Sequence, residues 1–131
     1  MAAFLAEMDK ALADIDEAIR RDGRNPYAFY LKLRILQGRG ITRDFVAAFH
    51  EAIAKYPAYY QLYAIALATL QPRWGGSIPA MYAFVDEYAR PAPQFSPLKL
   101  LYPSLYRYLL GAASADCTAV GGDRDKTTQC V

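Results

Sequence analysis

The chain has 131 residues, 54% of them hydrophobic and 21% charged, with a formal net charge of +2. That much apolar side chain excludes global disorder, the length suits one domain, and so small a net charge implies no nucleic-acid partner. Valine occurs only at positions 46, 85, 120 and 131, while alanine, leucine and tyrosine dominate, which favours helix over sheet.

The first predicted helix carries Phe4, Leu5, Met8, Leu12, Ile15 and Ile19 on one face, in steps of three and four residues. Asp22-Gly23 stops it, with Gly23 expected in the left-handed conformation. Asn25-Pro26 pairs an N-cap with a proline in the first helical turn, so a second helix starts near Pro26. It runs through Phe29, Leu33 and Leu36 to Gly38 and Gly40. Thr42 caps a third helix, whose face is Phe45, Phe49, Ala52, Ile53 and Tyr56, and Pro57 ends it. The fourth carries Tyr59, Tyr63, Ala66 and Leu70, with Tyr60 and Leu67 beside them, and closes at Pro72.

The connection from Pro72 to Ser77 leads to a fifth helix capped by Ser77, with Met81, Phe84, Val85 and Tyr88 on its face. Pro91-Ala-Pro93 is a stiff break. Ser96-Pro97 then opens a sixth helix through Leu98, Leu101, Tyr102, Leu105, Leu109 and Leu110, in which Pro103 imposes a kink or a split into a short turn and a longer helix. After Gly111 the composition turns polar. The expected organisation is a helical-hairpin domain over residues 1–111 and a flexible polar tail without regular structure over 112–131.

Short connections make consecutive helices antiparallel neighbours. Residues 26–57 also align with the tetratricopeptide pattern: Phe29 and Phe49 at the aromatic positions, Gly40 at the interhelical turn, Ala52 at the small packing position and Pro57 at the end. The match is degenerate, since Lys32-Leu33 stands where that pattern has Leu-Gly. The expected fold is all-α, about six antiparallel helices stacked as tetratricopeptide-like hairpins.

Two segments are the most distinctive: Tyr56-Pro-Ala-Tyr-Tyr-Gln-Leu-Tyr63 and Leu70-Gln-Pro-Arg-Trp-Gly-Gly-Ser77. They resemble the signature of a family of uncharacterised bacterial proteins of tetratricopeptide-like helical character, a Tyr-Pro-x-Tyr-Tyr helix start followed by Pro-Arg/Lys-Trp-Gly-Gly-Ser. The segment from Gly40 to Phe49 suits the same family, and the resemblance spans roughly residues 25–110. It implies a helical-repeat fold and no particular activity.

Candidate binding residues fall in two groups. In the first, Arg73, Trp74, Gly75, Gly76 and Ser77 form a turn whose glycines allow close backbone approach, beside a helix start that suits an anion. The competing reading is structural: the glycines supply positive φ and Trp74 plugs a groove between helices. A lone Gly-Gly turn lacks the phosphate-loop pattern, which favours that second reading. In the other group, Tyr59, Tyr60 and Tyr63 form an aromatic stripe, either a recognition groove or ordinary core.

Chemistry of a catalytic kind has little support. His50 is the sole histidine, has no second histidine at the spacing of a metalloprotease helix, and is rotated away from the core face as an exposed or rim residue. Asp86 and Glu87 are adjacent and point in different directions. Cys117 and Cys130 make no zinc site without histidine; they read as free thiols in the cytosol, and would close a loop only after export. No cofactor or metal is implied. Nor is there an apolar run long enough to span a membrane, or a basic, signal-like start, so the expected location is cytoplasmic.

Charge is unevenly spread. Residues 1–19 hold Lys10 against Glu7, Asp9, Asp14, Asp16 and Glu17, whereas residues 20–43 hold seven basic residues against Asp22 alone. That asymmetry either steers a partner or belongs to a solvated helix end and loop. The reading these features support is a non-enzymatic protein-interaction module that binds another protein or a peptide. The alternative is a small-ligand binder or enzyme using the Trp74-Gly75-Gly76-Ser77 loop.

Overall fold

A computed structural model of the chain describes residues 1–120, with side chains to Ser114. Six α-helices make up the described residues: α1 (Ala2–Arg21), α2 (Pro26–Gln37), α3 (Arg43–Lys55), α4 (Tyr60–Thr69), α5 (Ile78–Tyr88) and α6 (Leu101–Val120). Two short 3-10 turns, Pro72–Trp74 and Pro97–Leu100, lead into α5 and α6.

The helix starts follow from local chemistry. The Asn25 side chain accepts from the Tyr27 N–H at 3.0 Å, Thr42 from Phe45 at 3.2 Å, Ser77 from Ala80 at 3.2 Å and Ser96 from Leu98 at 3.2 Å. Each satisfies a backbone donor that the first turn leaves without a partner, a contribution of about 1 kcal/mol. Pro103 lies in the first turn of α6, where the missing N–H has no intrahelical partner anyway, so the proline region divides into the 3-10 turn and the longer helix.

Two helix ends differ from expectation. Gly23 is not left-handed: among the described residues only Gly40 and Gly75 have positive φ, and α1 ends on an extended Asp22. The Gly23 carbonyl instead accepts from the Tyr56 hydroxyl at 2.5 Å, and the space a Cβ would take is occupied by the end of Lys55. Nor does the last helix stop at Gly111. It continues to Val120, so residues 112–120 are helical and not part of an irregular tail. Ala112, Ala113, Ala115 and Ala119 follow the glycine, and the best helix former repeated in this way outweighs the roughly 1 kcal/mol cost of one glycine. The expectations for residues 121–131, and for pairing of Cys117 with Cys130, lie outside the described residues.

Packing alternates in two rows. Helix α2 packs on α4 and α4 on α6, while α1, α3 and α5 each pack against members of that row. The arrangement is consistent with a helical repeat. At its centre, α4 buries Leu62, Tyr63, Ile65, Ala66, Leu67 and Thr69, so its apolar residues encircle the helix instead of marking one stripe. Thr69, the one buried polar residue among the described residues, donates to the Ile65 carbonyl at 2.6 Å and accepts from Gln37 at 3.1 Å, tying α4 to the end of α2. No helix among the described residues is long and apolar enough to cross a membrane.

Candidate functional site

The two candidate groups lie at opposite ends of α4. That helix has 10 residues, so about 15 Å of backbone separates its tyrosine-rich start from the turn that follows it.

At the start, the tyrosines are used by the core. Tyr63 is 3% exposed and donates to the Pro57 carbonyl at 2.7 Å. Its ring meets Phe49 edge-on at 5.8 Å and Tyr88 at 5.3 Å, joining α3, α4 and α5. Burial pushes the Tyr63 phenol above its ordinary value; burial and then the Glu87 charge do the same to Tyr88. Both therefore stay neutral at ordinary pH, with nothing that would activate them as bases. Tyr60 is half-buried and shares a 2.8 Å hydrogen bond with Ser104 of α6, and half-buried Tyr59 packs against the core at the helix cap. Of the two readings of the stripe, recognition groove or ordinary core, Tyr63 takes the second, because an aromatic cluster from three helices closes over it.

The turn after α4 has two layers of explanation. Gly75 has φ 91°, a conformation that favours glycine. At Gly76 a Cβ would sit 2.0 Å from the Leu70 carbonyl oxygen, so the chain doubles back on itself too closely for any side chain. The Trp74 carbonyl accepts from Ile41 N–H at 3.3 Å, and Gly40, with φ 77°, is where the α2–α3 connection passes beneath it. The Ser77 hydroxyl is engaged in capping α5. Glycines and serine therefore have full structural roles, leaving Arg73 exposed with Trp74 half-buried beside it.

Arg73 opens on a groove of about 660 Å³ between the Pro72–Ile78 connection and α6. Arg107, Tyr108, Gly111 and Ala112 form its far wall, and among the described residues no carboxylate lines it. Neither arginine forms an ion pair among the described residues. The Arg73 guanidinium lies 5.7 Å from the Trp74 ring and Arg107 lies 5.4 Å from Tyr108, each held over the ring of its own sequence neighbour. Arg107 and Tyr108 escaped the sequence reading; the detectable signal was a second basic-aromatic dipeptide repeating Arg73-Trp74.

The basic stretch, read as either steering a partner or belonging to a solvated helix end and loop, is largely matched within its own hairpin. Arg20 and Arg21 both reach Glu17, whose carboxyl they hold below its ordinary value, and Arg24 reaches Asp22 at 3.1 Å. Across the hairpin Lys32 meets Asp16 at 2.6 Å and Arg39 meets Asp9. Seven residues forward along α2 are seven back along α1, the register of an antiparallel pair.

Elsewhere, exposed His50 and Glu87 edge an apolar groove of about 260 Å³ lined by Phe45, Phe49 and Tyr88. His50 and Arg73 therefore line different cavities. A third groove, about 280 Å³ between α1, α2 and α3, holds Asp16, Asp44 and Glu51 with Lys32. No group of three or more potential metal ligands occurs among the described residues. Compared with known proteins, the chain matches no family model, no curated protein and no solved structure.

Proposed function

We propose that the chain is a non-enzymatic protein-interaction module of helical-repeat type, tetratricopeptide-like in its hairpins and cytoplasmic, and that it holds a partner segment in the groove beside α6. The observation that carries this reading is the groove of about 660 Å³, lined in part by Pro72, Ile78 and Ala112, with two arginines that have no acidic partner among the described residues. Concave surfaces of stacked helices commonly serve extended partners, and charge on the rim steers their approach. Membership of the bacterial family with the Tyr-Pro-x-Tyr-Tyr and Trp-Gly-Gly-Ser signature belongs to the same proposal, supported by those two motifs in this chain.

The alternative, a ligand site or enzyme built on Trp74-Gly75-Gly76-Ser77, draws less support. The turn's glycines and serine are engaged within the fold, and His50 lies on another cavity.

The test is a plug. A side chain at Gly111 would enter open space at the groove wall, so Gly111→Trp fills the groove without disturbing the core. Affinity capture with the full chain is expected to lose partners with Gly111→Trp and to keep them with Ala47→Trp, which enters the separate acidic groove between α1, α2 and α3. Equal recovery from both variants would remove the basis of the proposal.

A further inference from the structure

We infer that the groove beside α6 selects an acidic protein segment, in which two carboxylates flanking apolar residues meet Arg73 and Arg107. The inference rests on the partner-binding reading of this groove and specifies the chemistry of what enters it.

The contrast within the molecule supports it. Along α1 and α2 five basic side chains are matched with acids, whereas Arg73 and Arg107 line one groove with no acid in its wall and no ion pair among the described residues. Two like charges facing one concavity repel each other, and an incoming pair of carboxylates relieves that repulsion. Each guanidinium also rests over an aromatic ring, which limits its rotamers and leaves its planar donor fork free for a carboxylate.

The remainder of the wall narrows the choice further. Pro72, Ile78, Gly111 and Ala112 contribute apolar surface, and the Gln71 amide donates to the Ala68 carbonyl at 2.9 Å. Polar recognition in the groove thus falls mainly to two cationic forks, with Tyr108 beside them. That set suits acids separated by greasy residues. It lacks the extended basic track and the base-edge acceptors that a nucleic acid would need, and the chain as a whole carries only +2.

The test uses the purified full chain and fluorescein-labelled nonapeptide pools. One pool carries two glutamates flanking two varied apolar positions, and a matched pool carries glutamine instead. An oligouridylate of similar length is the third probe. The glutamate pool is expected to bind about tenfold tighter than the glutamine pool at low salt, and to weaken as salt rises. Arg73→Gln and Arg107→Gln, both at exposed positions, should each weaken it about fivefold with unchanged circular dichroism. The double Arg→Lys variant, which keeps the charge and loses the fork, should weaken it several-fold. Equal binding of the two peptide pools overturns the inference. If Gly111→Trp then abolishes binding of both pools, the groove remains a peptide site without acid selectivity. Absence of any peptide binding, or tighter binding of the oligouridylate, also overturns it.

Discussion

The two ends of α4 treat their distinctive residues in opposite ways. At its start, tyrosines from the Tyr56–Tyr63 segment turn inward or bond to neighbours: Tyr63 joins Phe49 and Tyr88, and Tyr60 bonds to Ser104. Beyond its end, the Pro-Arg-Trp-Gly-Gly-Ser turn has Gly75 at positive φ and Gly76 against the Leu70 carbonyl, while Arg73 lines the edge of a groove. Aromatic rings at helical spacing find one another and leave little for a partner. A guanidinium resting on its neighbouring ring, without an acid beside it, retains its capacity to bind.

The comparison can be broken by substitution, and the largest effect is expected at the buried end. Tyr63→Ala removes a ring that α3 and α5 enclose and should cost about 3–5 kcal/mol in chemical unfolding. Any partner lost with that variant reports on the fold and not on a tyrosine surface. A cost below about 1 kcal/mol would mean that the ring is not in the core. Next comes Gly76→Ala, whose methyl collides with the Leu70 carbonyl; a loss of about 2–3 kcal/mol is expected. If that variant melts like the wild type, the turn is looser than its geometry states.

Smaller effects sharpen the contrast. Gly111→Ala should stabilise the protein by about 0.5–1 kcal/mol, because the residue lies inside α6 with open space around it. A glycine that ended the helix in a left-handed turn would give the opposite sign in the same melting experiment. Smallest of all are the charges. Asp16→Asn should cost at most about 1 kcal/mol by breaking its pair with Lys32, and that loss should shrink in high salt. Arg107→Gln should leave the melting temperature unchanged, since no ion pair among the described residues depends on it. A clear loss of stability there would show that the groove charges serve the fold.

Charge was the least legible feature before the structure. Read along the chain, an acidic segment precedes a basic one, and the pattern invites a partner for each. In space the two segments are antiparallel neighbours, and Asp16 with Lys32 and Asp9 with Arg39 match them against one another. The unmatched charges lie elsewhere, where Arg107 lines the same groove as Arg73 although the whole of α5 intervenes. The continuation past Gly111 was readable from its alanines, but a glycine followed by polar residues masked it.

What the sequence determined by itself were the events completed within one helical turn. Asn25, Thr42, Ser77 and Ser96 each reach a backbone N–H two or three residues ahead, and the prolines beside Asn25 and Ser96 occupy first turns where their missing donor costs nothing. Only the tertiary structure decided which tyrosines are buried, which arginines are paired, and why Gly76 must lack a side chain. Those outcomes depend on side chains and carbonyls brought together by helix packing, and local spacing carries no record of which helix will lie alongside which.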